Sequence, residues 1–202
     1  MNPRWVFFTL CWLAVVVGGS TMLLFHSQTP GETGRAPEYW PLASRIEPTP
    51  ERPTLVMFAH PKCPCTRASI EELSTLMARS QGLVDARVVF FKPEDADENW
   101  AITDSWKRAS AIPGVIVQTD SEGLEASNFR ATTSGQVVLY DAEGRLLFSG
   151  GITEARGHEG DNDGRSAVLD FLRHGKSVFT ATPVFGCPIQ EKTPDKIAVK
   201  QL

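Results

Sequence analysis

The sequence predicts an α/β fold with a mixed central sheet, preceded by one helix of membrane-crossing character. Three observations carry this reading: a charge-free stretch at residues 5–25, apolar runs alternating with amphipathic stretches from Thr54 onward, and a DAEG turn joining two late apolar runs. The order is strand, helix, strand, helix, short strand, helix, hairpin, helix, which gives parallel strands first and an antiparallel hairpin last. A length of 202 residues allows one globular domain and an appendage. The net charge is -4, with both signs interspersed. No Lys/Arg-rich or aromatic-basic block is present to track a phosphate backbone, so nucleic acid is not an expected partner.

Residues 5–25, WVFFTLCWLAVVVGGSTMLLF, contain no charged side chain. A stretch of roughly 20 such residues suffices to cross a hydrocarbon core as a helix. Arg4 and the amino terminus precede it, whereas His26 and then Glu32 follow. That flank places the amino end in the cytoplasm and exports the body of the chain. A cleaved signal peptide is the rival reading, with Gly18 and Ser20 small enough for a cleavage site; apolar Met22 to Phe25 continue past them and favour a membrane anchor. Cys11, inside the segment, reads as a small hydrophobe without chemistry. Residues 26–53 then carry Pro30, Pro37, Pro41, Pro48, Pro50 and Pro53 among polar residues, which predicts a semi-extended linker holding the domain off the bilayer.

The domain is expected over residues 54–175. TLVMFA, starting at Thr54, is a continuous apolar run suited to a strand buried on both faces. Ile70, Leu73, Leu76 and Met77 recur at helical spacing and predict a helix from Thr66 to Arg79. Further strands follow at 86–91 and 115–117, with a helix over 95–111 carrying Trp100 and Trp106 and ended by Pro113-Gly114. A short helix is expected over 122–129. Residues 136–140 and 145–148 form a hairpin whose turn has Gly144 for a positive φ. The last helix spans 165–173, with Asp163 as N-cap and Gly175 as stop; residues 176–202 are expected to pack on the domain as a tail.

Cys63 and Cys65 fall where the first buried strand hands over to the first helix. Unpaired N–H groups and the helix dipole stabilise a thiolate there, and a thiolate is the species that attacks a disulfide. The expectation is an ionised, accessible sulfur at Cys63 and a resolving thiol at Cys65. A one-residue loop closes with difficulty at relaxed disulfide geometry, and Pro64 further restricts it, so such a bridge would be labile. The competing reading, two small buried residues without reactivity, is weaker because an exported protein tends to oxidise adjacent thiols.

The segment LVMFAHPKCPCTRASIEEL resembles the active-site strand and helix of the thioredoxin superfamily, in which a Cys pair begins five residues after a strand phenylalanine; Phe58 to Cys63 reproduces that interval. The hairpin VVLYDAEGRLLFSG resembles the family's closing hairpin, and the likeness covers about residues 54–175. Cys-Pro-Cys, ATTSG, GGITEARGHEG and VFGCPI together are most similar to the membrane-anchored RedB-like thioredoxin-fold proteins of bacteria. The resemblance implies a thioredoxin-like three-layer fold and thiol-disulfide oxidoreductase activity on protein thiols or disulfides. It places a single-pass protein in the bacterial inner membrane with its domain in the periplasm, and it implies no cofactor.

The sequence departs from the superfamily at two places. ATTSGQ stands where the family carries a cis-proline that shapes the substrate groove, so Thr133, Ser134 and Gly135 are the expected groove residues here. Lys62 replaces the usual tryptophan, and its charge would favour a thiolate.

His60 is a candidate for proton transfer, although a strand-end residue hydrogen-bonding the loop is the stronger reading. Cys187 reads first as packing, and as a third thiol if Cys63 and Cys65 close and leave it unpaired. The loop 150–165, with His158, Glu159, Asp161 and Asp163, invites a metal or anion reading, but an exposed loop with an N-cap is favoured. The second functional reading is a binding module in which Cys63 and Cys65, with His60 or Cys187, hold Cu(I). Structural zinc wants four ligands and is weaker.

Overall fold

The computed structural model describes residues 3–190. Helix α1 (Pro3–Gln28) has no buried residue, and it is long and apolar enough to span a bilayer. The domain follows as β1 (Thr54–Ala59), α2 (Thr66–Arg79), β2 (Asp85–Lys92), α3 (Asp104–Ser110), β3 (Val115–Ser121), α4 (Leu124–Asn128), β4 (Gln136–Tyr140), β5 (Leu146–Gly151) and α5 (Asp163–His174). One sheet runs β3-β2-β1-β4-β5. The β1-β2 and β2-β3 pairs are parallel, and β4 pairs antiparallel with both β1 and β5.

Every residue of β1 is buried, because the strand sits at the centre of the sheet with a layer on each face. Leu55, Met57 and Ala59 point to the layer formed by α2, α3 and α5. Val56 and Phe58 point to the opposite layer with Phe129 and Tyr140. The pairing of Phe58 with Gln136 brings the end of β1, and hence the thiol loop, beside residues 133–135.

Helix α2 buries Ile70, Leu73 and Leu76 as its periodicity predicts. It also buries Glu72, which pairs with buried Arg165 of α5 and accepts from the Gly160 backbone at 2.7 Å. The charge is tolerated because partners satisfy it on several sides. The network reaches Gly160, Asn162 and Arg165 of the loop 150–165, while His158, Glu159, Asp161 and Asp163 are exposed. Among the described residues, no group of three His, Cys, Asp or Glu side chains is placed to hold a metal ion, in this loop or elsewhere.

Four boundaries differ from expectation. The helix predicted over 95–111 forms only at Asp104–Ser110, because Asp97 Oδ1 accepts from the Asn99 N–H and fixes a turn around Trp100 instead. The α5 N-cap is Asn162, whose side chain accepts from Arg165 N, rather than Asp163. Strand β3 continues to Ser121 beside β2, and β5 runs on to Gly151.

The largest correction concerns the linker. Residues 29–53 are irregular, as their prolines dictate, yet they lie against the domain rather than spanning a gap. Ala36 and Ile46 are buried. Trp40 packs edge-on to Phe129 and Tyr140 at 5.0 and 5.2 Å between ring centroids. Tyr140 Oη donates to Pro37 O at 2.9 Å, and Ser44 Oγ donates to Glu125 at 2.6 Å. Proline removes regular hydrogen bonding but not the drive to bury Trp40 and Ile46. The tail behaves similarly up to Gln190: Val184, Phe185 and Ile189 are buried, and Ser149 donates to Thr180 O at 3.0 Å. The rest of the expected tail lies outside the described residues.

Because the strap is part of the core, Trp40→Ala should destabilise the domain by about 3 kcal/mol. Urea unfolding followed by far-UV circular dichroism measures this; a change within error would return residues 29–53 to the role of a loose spacer.

Candidate functional site

The chain leaves β1 at Ala59 and turns through residues 60–65 before α2 begins, with Cys65 at the N-cap position. Cys63 N donates to His60 O at 3.1 Å, and Thr66 N to Cys63 O at 3.2 Å. These bonds fold the Cys-Pro-Cys loop back on the helix start and bring the Cys65 thiol near enough to Cys63 for each to affect the other's ionisation. No disulfide is formed.

Cys187 completes the cluster. Its backbone N–H donates to Cys63 Sγ at 3.4 Å, and its thiol contacts the same sulfur. It reaches there because residues 187–189 run antiparallel to residues 132–134. Ser134 N donates to Cys187 O at 2.8 Å, Ile189 N donates to Thr132 O at 2.9 Å, and Thr133 pairs with Pro188. Gly186 permits the close approach, since a Cβ there would meet Ser134 O at 1.9 Å. Arg156 clamps the same stretch, donating from Nη1 to Gly186 O at 2.5 Å and from Nε to Thr29 O at 3.0 Å.

One charge is shared unequally among the three sulfurs. Burial pushes the Cys63 thiol up, but hydrogen bonds from the Cys187 thiol and N–H, the Thr66 hydroxyl and the Cys65 N–H outweigh it and leave Cys63 below the ordinary value of 9.0. Burial and then the neighbouring Cys63 charge push Cys65 up, with Arg156 acting in the opposite sense. Cys187 is pushed up to about 12 by burial and by its contacts with Cys63, again opposed by Arg156. Cys63 is thus the most readily ionised of the three sulfurs, and Cys65 and Cys187 are held toward the protonated form.

Several expectations change here. The Cys63 residue is only 4% exposed, covered by the tail instead of being freely accessible. Its remaining opening is a groove of about 510 Å³ shared with Lys62, Pro64, Arg67 and Thr103. Thr133 and Ser134 are fully buried because the tail fills the groove they were expected to line, and Gly135 turns at φ 92° with its N–H on Phe58 O. Ser134 accepts from His60 N at 2.8 Å and shares a hydrogen bond with Thr66 Oγ1 at 2.7 Å.

His60 Nδ1 accepts from the Lys62 N–H at 3.2 Å, and its ring stacks on Phe91 at 5.8 Å. This fits the loop-shaping reading rather than proton transfer. Lys62 places its ammonium over Trp100 at 4.5 Å, and it is not among the main groups that lower Cys63. Sequence reasoning missed Arg156, Thr66 and Gly186. Thr66, directly after the second cysteine, was the one with a readable position; nothing in the sequence pointed to the other two.

A sheet of this order, with paired cysteines at the β1-α2 junction, has the thioredoxin-like fold. No protein-family model matches the chain, and no curated protein does. Two solved structures share the fold over most of their length. An uncharacterized conserved protein from Geobacillus kaustophilus aligns with a TM-score of 0.58 at 17% identity, over 83% of this chain and 95% of that one. A hypothetical protein from Sinorhizobium meliloti aligns with a TM-score of 0.57 at 22% identity, over 80% and 93%. A secreted Mycobacterium tuberculosis disulfide oxidoreductase aligns more loosely, with a TM-score of 0.40 at 20% identity over 48% and 67%; likeness of that extent bears on the activity of neither protein.

Because the tail supplies the hydrogen bonds that hold Cys63 low, Gly186→Val should lift it off and raise the pH midpoint of Cys63 alkylation toward 9.0. In the unaltered chain Cys63 should label with a midpoint below that value, while Cys65 and Cys187 label above it. Residue-resolved iodoacetamide labelling across pH measures all three. Equal midpoints would remove the proposed division of charge.

Proposed function

We propose that the protein is a membrane-tethered thiol-disulfide oxidoreductase whose attacking group is the Cys63 thiolate. The observation that carries the reading is the Cys63 sulfur at the strand-to-helix junction, which accepts from the Cys187 N–H at 3.4 Å and ionises more readily than the thiols of Cys65 and Cys187. A thiolate there attacks a disulfide sulfur, forms a mixed disulfide and expels one client thiolate; a neighbouring thiol, Cys65 or Cys187, then attacks Cys63 Sγ and releases the second. The reverse sequence oxidises a dithiol. The protein's own atoms suffice for both directions.

Clients are protein thiols or disulfides that reach Cys63 through the groove beside Pro64. With α1 as a retained anchor, arginine before it and the domain after it, the domain works on the periplasmic face of a bacterial inner membrane. The RedB-like motifs support the same setting. The alternative, a Cu(I) carrier using Cys63, Cys65 and His60, has less support: His60 Nδ1 is taken up by the Lys62 N–H.

The full-length protein in detergent, assayed for reduction of a protein disulfide with dithiothreitol as electron source, tests the reading. Cys63→Ser should fall to the uncatalysed rate, while Cys11→Ser retains full activity. A Cys63→Ser variant as active as the parent would end the proposal.

A further inference from the structure

Three thiols meet at one sulfur, yet a disulfide needs only two. We infer that Cys187, held in the groove by the chain's own tail, is the principal resolving partner of Cys63. This rests on the thiol-disulfide reading above and adds the identity of the second redox sulfur.

The geometry separates the two candidate partners. Cys65 is joined to Cys63 through the single residue Pro64, whose fixed φ and short loop oppose relaxed disulfide geometry. Cys187 is 124 residues away in sequence and approaches from an independent strand, so no short ring constrains the bond. That strand is held in register by two backbone hydrogen bonds to residues 132–134, by the close seat of Gly186 and by Arg156. Such anchoring fixes the sulfur against its target rather than leaving contact to chance.

The step balances. The Cys63 thiolate attacks a client disulfide, so the Cys63–client bond forms, the client S–S bond breaks and one client thiolate leaves. Cys187 then loses its proton and attacks Cys63 Sγ; the Cys63–client bond breaks and the second client thiolate departs, taking up a proton. The client gains two electrons, and Cys63 and Cys187 lose them. Burial, then the hydrogen bond to Cys63 and its charge, hold the Cys187 proton in place; once Cys63 is bound to a client the Cys63 contributions vanish, and the Arg156 charge acts against the burial that remains. Cys65 is left as a reduced thiol.

The test uses the full-length chain in detergent, in a Cys11→Ser background, equilibrated with glutathione and glutathione disulfide, acid-quenched and mapped by non-reducing peptide mass spectrometry. The Cys63–Cys187 bridge should be the main product. Cys65→Ser should oxidise at the same glutathione ratio, and both proteins should gain thermal stability on oxidation because the bridge closes a long loop. Cys187→Ser should instead accumulate glutathione on Cys63 or form the Cys63–Cys65 bridge only under more oxidising conditions. A dominant Cys63–Cys65 bridge with Cys187 free would overturn this inference and leave the oxidoreductase reading intact. Absence of any bridge and of any glutathione adduct at Cys63 would overturn both. Mapping the unsubstituted thiols needs no altered site residue, so a poorly folded variant does not blunt the result.

Discussion

The site depends on the hydrogen bond from Ser134 N–H to Cys187 O. It docks the tail beside the sheet, and the docked tail in turn delivers an N–H and a thiol to Cys63. The seat needs a backbone N–H at position 134, which a proline there could not supply. The serine hydroxyl adds a second function by binding His60 N and Thr66 Oγ1, tying the end of β1 to the start of α2.

Electrostatically, the cluster resembles a shared-proton system more than a pair of independent thiols. Adding a second thiolate beside Cys63 in a buried setting is costly, which keeps Cys65 and Cys187 protonated and makes them donors to the charged sulfur. Arg156 supplies a compensating positive charge without forming an ion pair to a carboxylate. Its hydrogen bonds to Gly186 O and Thr29 O instead join the tail to the strap, so one side chain both tunes the thiols and holds the cover over them.

Much of the fold was legible because its signals are local. The TLVMFA run, the spacing of Ile70, Leu73 and Leu76, and the DAEG turn each name their element without reference to the rest of the chain. The Cys63-Cys65 pair was legible for the same reason. What escaped was long-range: that Cys187 would reach Cys63, that Arg156 in a glycine-rich loop would lie beside the thiols, and that Trp40 would leave a proline-rich stretch to enter the core. Periodicity cannot report a contact across 124 residues, and composition describes how a segment lacks regular structure, not what it lies against. Glu72 shows the reverse error: its charge pattern reads as a solvated helix face, but Arg165 and the Gly160 N–H made burial affordable.

The junction after α1 leaves little slack. Arg156 N donates to Ser27 O at 3.0 Å inside the last turn of that helix, and Gly31 N donates to Val184 O at 2.8 Å only three residues past its end. A domain fastened in this way cannot wander on a tether. Where α1 is embedded in lipid, the reach of the thiol is set by the helix itself, and the face that carries Cys63 turns and tilts with it like a fitting bolted to a mast.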